Sequence, residues 1–146
     1  MTPDMDADQA RRKLLGQHEA IREHISRCVV LAHRFRNGEN LARELDDALD
    51  TLRAKLSEHN AGETKLVGPL LHDCPRWGTL LIDRMLEEHL AEHAAFWDKL
   101  HGPTYEVVER IEDLADELDA HMAAEERTFL NPQVLHPDAI SRHRGV

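Results

Sequence analysis

The feature that most constrains the fold is an apolar pattern that repeats at alternating steps of three and four in four long segments. Because a helix completes a turn in 3.6 residues, such positions share one face, which packs against other helices. Glycine and proline cluster between the segments, at 37–40, 74–78 and 102–104, and β-branched runs are few. The pattern predicts an all-α, up-down-up-down four-helix bundle with helices at about 6–36, 39–70, 77–100 and 104–130.

In every segment, polar residues interrupt the apolar stripe at positions where the core is expected. These residues are His18 in the first segment, His59 and Glu63 in the second, His89 and His93 in the third, and His121 and Glu125 in the fourth. An ionised carboxylate that is buried without a partner costs several kcal/mol, and a buried imidazole also needs partners for its nitrogens. Bundles place metal ions between facing helices, and a metal ion would neutralise this set. The interruptions therefore predict a metal site in the core.

The positions of the turns test whether these residues meet in space. In an up-down bundle the turn should lie near the sequence midpoint between the clusters that it separates, because both arms rise equally per residue. The first two midpoints, about 39.5 and 76, fall on the breaks at 37–40 and 74–78. The third, about 107, lies about four residues beyond Gly102 and Pro103, which requires a staggered loop or a site spread over two metals. The midpoints favour a single cluster.

The spacing within the segments indicates the kind of metal. Residues four apart lie on one face of a helix, so each His-x-x-x-Glu or His-x-x-x-His pair can present both side chains inward. Five imidazoles and two carboxylates suit iron, zinc or copper better than magnesium or calcium. This number exceeds the needs of one tetrahedral zinc, and two carboxylates can bridge two ions. We therefore expect a dinuclear site with an open position.

The same residues, in this order, resemble the hemerythrin-like, HHE cation-binding family. The similarity spans about residues 14–132 and includes His59-Asn60-Ala61-Gly62-Glu63, His89 to His93 and His121 to Glu126. It implies a bundle with a non-haem centre of two iron ions, joined by an oxo or hydroxo bridge and by the two carboxylates, with histidines completing each shell. Hemerythrins bind O2 reversibly at an open iron position, and relatives are associated with nitric oxide, peroxide or iron sensing.

Two assignments have competitors. Hemerythrins proper place the last carboxylate five residues after its histidine, at Glu126 here, but Glu125 keeps the core stripe and Glu126 is expected to turn toward the flank. His24 competes with His18, which fits the stripe better. The helix-weakening Gly62 beside Glu63 is expected to allow a local distortion around the metal.

Length, charge and cysteine usage exclude several classes of protein. A chain of 146 residues predicts one bundle domain at 1–131 and a C-terminal tail at 132–146. A net charge of −10 would repel nucleic acid, and no stretch is apolar enough for a membrane span. Two cysteines are too few for a disulfide framework, and the first residues lack the pattern of a signal peptide, so we expect a cytoplasmic protein.

The residues leave three functions open. The first is a protein that binds O2 or a similar small diatomic, with no need for a catalytic acid or base. The second is an enzyme acting on peroxide or nitric oxide, for which Tyr105 and Glu126 are the candidate proton donors. The third is an iron- or redox-sensing regulator. The remaining histidines are expected not to be ligands, namely His24, His33, His72, His101, His136 and His143.

Overall fold

A computed structural model describes residues 7–72 and 79–131, without the side chains of 68–70, 72 and 79–82. It contains the four helices α1 (Ala7–Arg36), α2 (Ala42–His72), α3 (Thr79–Lys99) and α4 (Thr104–Arg127). Each helix packs on its neighbour in the chain, and α1 also packs on α4. The prediction of an all-α four-helix bundle is confirmed. The predicted turn at 74–78, the predicted helix start at 77 and the tail at 132–146 lie outside the described residues.

None of the described helices combines the length and the apolar character that a membrane span requires.

The first turn of the bundle is set by Gly38. Its φ of 94° is a left-handed conformation that glycine adopts without steric cost. The amide of Gly38 donates to the carbonyl of Phe35 at 3.1 Å, and the amide of Glu39 donates to that of Arg34 at 3.2 Å. These bonds satisfy carbonyls that the end of α1 would otherwise leave unpaired, so α1 stops here and α2 can turn back along it.

The core consists of two apolar clusters with a polar layer between them. The larger cluster includes Ile21, Leu56, Phe96 and Leu118 and lies toward the turn that joins α1 to α2. The smaller cluster, at the opposite end, is formed by Ala10, Leu14, Leu66, Val67, Leu71, Phe129 and Leu130. The residues that interrupt the apolar stripes lie between the two clusters, so burial on both sides fixes the height of the layer in the bundle.

The last helix ends earlier than the sequence predicts. The fourth helix was predicted to continue to residue 130, but α4 ends at Arg127 and the Thr128 side chain is exposed. The amide of Leu130 donates to the carbonyl of Glu125 at 3.0 Å, five residues back, so the last turn closes with a wider bond instead of continuing the helix. The chain then turns Phe129 and Leu130, which are 2% and 1% exposed, into the smaller cluster.

The connection between α3 and α4 explains why the third midpoint, about 107, lies beyond the break at Gly102 and Pro103. Arg53 on α2 donates to the carbonyl of Leu100 at 2.9 and 2.6 Å, whereas the Thr104 hydroxyl donates to Asp46 on α2 at 2.5 Å. The two contact points on α2 are about 10 Å apart along the helix, since each residue rises 1.5 Å. The loop therefore runs lengthwise and is staggered, and α4 begins well beyond the end of α3.

Cys28 fills a core position on α1 and is fully buried. Burial raises the pKa of the Cys28 thiol to about 11, because the low-dielectric core disfavours the thiolate. We expect iodoacetamide at pH 8 to modify this cysteine at least about 100-fold more slowly in the folded protein than in urea, since only the thiolate reacts. The Cys74→Ser variant isolates the reaction, which mass spectrometry can follow. Similar rates in both states would contradict the buried position.

Candidate metal centre

The polar layer contains all seven residues that the sequence singles out. The five most deeply buried are between 0% and 5% exposed, namely His18, His59, Glu63, His93 and Glu125. His89 and His121 are partly buried at the same height. Since all four helices contribute, the layer forms only when the whole bundle is assembled.

The ligand atoms of these residues form two groups, within each of which all atoms lie within 4.8 Å of one another. One group, called here the two-histidine group, contains His18, His59, Glu63 and Glu125. The other, the three-histidine group, contains Glu63, His89, His93, His121 and Glu125. The two carboxylates belong to both groups.

Glu63 directs a different oxygen at each group. Its Oε1 lies 2.8 Å from Nε2 of His59, in the two-histidine group. Its Oε2 lies 3.0 Å from Nε2 of His93 and 3.1 Å from Nδ1 of His89, in the three-histidine group. This is the arrangement in which one carboxylate can bridge two cations.

Glu125 repeats this arrangement from the fourth helix. Its Oε1 lies 2.8 Å from Nε2 of His18, and its Oε2 lies 3.2 Å from Nδ1 of His89 and 3.4 Å from Nε2 of His121. Two carboxylates from different helices thus connect the same two groups of histidine nitrogens.

A cation fits this layer because polar atoms converge there without hydrogen-bond partners. Among the described residues, five such buried atoms belong to the layer, namely Nε2 of His59, His93 and His121, Oε1 of Glu63 and Oε2 of Glu125. Nε2 of His59 and Oε1 of Glu63 are only 2.8 Å apart but lack the geometry of a hydrogen bond. An unsatisfied buried polar atom costs about 1–3 kcal/mol, and bound metal would satisfy several at once.

The electrostatics of the layer also favour a cation. Burial alone would raise the pKa of Glu63, but the close contacts with His59, His89 and His93 outweigh it and hold the pKa far below its usual value. Burial likewise lowers the pKa of His59, yet Glu125 and Glu63 outweigh it and raise the pKa to about 9. The carboxylates are therefore ionised, and without metal they favour the protonated forms of His59, His89 and His121. Metal binding would displace those protons.

Three of the histidines turn Nε2 inward and are held from outside at Nδ1. His18 Nδ1 lies 2.8 Å from Glu126 and His59 Nδ1 lies 2.9 Å from Gln17, while His121 Nδ1 contacts Glu92. A partner on Nδ1 fixes the tautomer in which Nε2 carries the lone pair, as is usual for histidines that bind metals. These outer partners prepare three nitrogens for a cation.

Glu126 lies outside both groups of ligand atoms, but it is not directed to the flank as the sequence predicted. Its Oε2 accepts from His18, and both of its oxygens accept from Arg22 at 2.9 Å. Burial raises the pKa of Glu126, but the Arg22 guanidinium and His18 outweigh it and lower the pKa. Glu126 is thus an ionised support for His18. Sequence reasoning missed this contact, although Arg22 stands one helical turn after His18.

Sequence reasoning also missed Gln17 and Glu92 as partners of the histidines. These two residues share one sequence feature with Glu126. Each outer partner stands next to a residue of the layer in sequence, but contacts a histidine on another helix. The pairs of neighbours are Gln17 and His18, Glu92 and His93, and Glu125 and Glu126.

Several other predicted residues lie away from the layer. His33 and His101 are exposed, and His101 contacts the carbonyl of Trp97 at 2.6 Å. Tyr105 is 63% exposed and starts α4, about 24 Å along the helix from His121, so its prediction as a proton donor at the site is wrong. His24, which is partly exposed, belongs to neither group of ligand atoms. The side chain of His72 and the whole of His136 and His143 lie outside the described residues.

Comparison with known proteins agrees with the geometry. The model of the hemerythrin HHE cation binding domain matches residues 9–132, which is most of the chain. Comparisons with curated proteins and with solved structures found no match. The family match covers all four helices and the polar layer, and the resemblance seen in the sequence is confirmed. The chain belongs to the hemerythrin HHE cation binding domain family.

Proposed function

We propose that this chain is a cytoplasmic non-haem di-iron protein that binds O2 or a similar small diatomic. The observation that carries the proposal is the placement of Glu63 and Glu125, each of which directs one oxygen at each group of histidine nitrogens. One iron would be held by the two-histidine group and the other by the three-histidine group, with both carboxylates shared. Two reduced irons would supply the electrons for reversible O2 binding.

The difference between the two groups indicates where a small ligand would bind. Iron takes up to about six ligands, and imidazole and carboxylate are among those it accepts. The three-histidine group offers five side chains and the two-histidine group only four. The two-histidine group therefore leaves more room, and we assign the ligand position to it.

The residues around the polar layer restrict the access of water and hold the histidine rings in place. The ring of Phe96 packs on His121 and that of Phe129 packs on His89, each at 5.3 Å between ring centres. These rings, with the apolar clusters above and below, separate the layer from solvent. Such a site favours binding of an apolar diatomic and limits the access of water, which assists the oxidation of reduced iron by O2.

The first test is the metal content and the response to O2. We expect about two irons per chain after expression in iron-replete cells, measured by mass spectrometry of the metals. After anaerobic reduction, a visible charge-transfer band should appear with O2 and bleach on degassing. Gas evolution from peroxide would instead favour the enzyme, and one zinc without iron would remove the di-iron proposal.

A second test compares histidines inside and outside the layer. We expect His89→Ala or His93→Ala to lower iron content strongly, since Nδ1 of His89 and Nε2 of His93 both face Glu63. His24→Ala and His33→Ala are the controls and should leave it unchanged. Equal losses from all four variants would mean that the site is elsewhere.

A further inference from the structure

We infer that Gln17 is a positioning residue for His59 and that Gly62 is present to make room for it. The inference rests on the proposed function, in which His59 is one of only two histidines at the metal with the open position. The family resemblance marks neither Gln17 nor Gly62 as a ligand.

Gln17 fixes the orientation of His59 from the neighbouring helix. The Nδ1 of His59 donates to Oε1 of Gln17 at 2.9 Å, so Nε2 is the nitrogen that points toward the carboxylates and would bind the cation. His59 is 2% exposed, which leaves Nδ1 little access to water as an alternative partner. Loss of this partner would free the ring to rotate and would leave Nδ1 unsatisfied.

Gly62 lies directly against the Gln17 side chain. A Cβ added at position 62 would lie 2.9 Å from Oε1 and 3.0 Å from Nε2 of Gln17, closer than side-chain carbons normally approach. The sequence suggested that this glycine distorts the helix, but α2 continues through it from Ala42 to His72. The absence of a side chain at position 62 leaves space for the Gln17 side chain. A methyl group here would push the Gln17 amide away from His59.

A surface cavity beyond Gln17 determines which variants are informative. The cavity, about 220 Å³ in volume, is lined by Gln17 and by residues that include Gly16, Lys13 and Lys55. Truncating Gln17 to alanine would extend this cavity, so water could enter and replace the lost amide. Gln17→Leu keeps the volume and removes the acceptor, which makes it the sharper change. Gln17→Glu keeps an acceptor of the kind that His18 and His121 already have.

The experiment is a Co²⁺ titration of the metal-free full chain, read from the visible d–d bands and from competition with a chelator. Gly62→Ala and Gln17→Leu should each weaken Co²⁺ binding at one of two sites by about 10–100-fold and shift its bands. Gln17→Glu should stay within a few-fold of the wild type. In the double variant Gly62→Ala/Gln17→Leu, affinity should be no lower than in Gln17→Leu alone, because Gly62 acts through Gln17.

Gly16→Ala is the matched control, since it lies on the same cavity and a Cβ there meets nothing within 4 Å. Gly16→Ala should raise the melting temperature of the metal-free protein, because alanine favours a helix, whereas in Gly62→Ala the lost contact between Gln17 and His59 should offset that gain. Only Gly62→Ala should weaken Co²⁺ binding, which separates positioning from a general effect on folding.

Wild-type affinity and spectra in Gly62→Ala and Gln17→Leu would overturn the inference while leaving the metal site intact. By contrast, an absence of Co²⁺ binding by the wild type, or no effect of His59→Ala, would refute the metal site itself.

Discussion

Replacing Glu125 with glutamine is expected to lower the iron content from about two ions per chain to less than one. The carboxylate directs Oε1 at His18 and Oε2 at His89 and His121, so both groups of ligand atoms lose an anionic oxygen together. The amide keeps the size of the side chain but carries no charge and has one nitrogen that cannot bind a cation. Metal analysis of the purified variant, with Fe²⁺ titration under anaerobic conditions, measures the loss.

Glu126→Gln is the matched control, since it makes the same change one residue away. Its amide oxygen can still accept from Nδ1 of His18, although the paired contact with Arg22 is weakened. We expect an affinity loss of less than about tenfold, typical of a weakened outer partner. A larger loss from Glu126→Gln than from Glu125→Gln would mean that the spacing of hemerythrins proper applies and that Glu125 is not the ligand.

Removal of the metal is expected to lower the melting temperature by roughly 5–10 °C for each site that was filled at 100 times its dissociation constant. Binding at that excess contributes about 2.7 kcal/mol, and 1 kcal/mol shifts a domain of this size by roughly 2–4 °C. In the metal-free bundle Glu63 and Glu125 remain ionised in a buried layer, where only the histidines offset the cost of desolvation, and bound metal adds its own attraction to both carboxylates.

Scanning calorimetry before and after chelation and reloading measures this shift. The Glu125→Gln variant supplies the control, with its own metal-free form as the reference, because loss of Glu125 leaves the facing histidines without a charged partner and should itself lower the melting temperature. It should also gain little from added Fe²⁺. A metal-free wild type that melts at the same temperature as the loaded protein would show that the ions contribute no folding free energy.

The fold was largely predictable because its determinants are periodic and local. Steps of three and four place Leu14, Ile21 and Ile25 on one face of α1, and all three are buried. Glycine marks the turns at positions 38 and 102, where φ is positive. The positions of the seven polar residues followed from the same periodicity, because a residue that replaces a core leucine occupies the place of that leucine.

What the periodicity could not supply is the set of contacts between helices. The end of α4 depends on a closing turn that buries Phe129 and Leu130 against other helices, which sequence spacing does not weigh. The supports of His18 and His59 depend on the rotation of one helix against the next, because Glu126 and Gln17 stand on other helices. A heptad pattern gives the inward face of each helix but not the residues at its edges that reach a neighbour.

The three outer partners have a consequence for moving or redesigning this centre. Adjacent residues on a helix point about 100° apart, so in 17–18, 92–93 and 125–126 one residue faces the layer while the other reaches across to a different helix. Grafting the seven inward residues onto another bundle would transfer the donors but not their orientation. Deleting one residue upstream of any of these pairs would rotate both residues by about 100° around the helix and turn each away from its present partner. Each support of this site therefore depends on a pair of adjacent residues and on the rotation of one helix relative to the next, so an insertion or deletion upstream of a pair would remove a ligand and a support together.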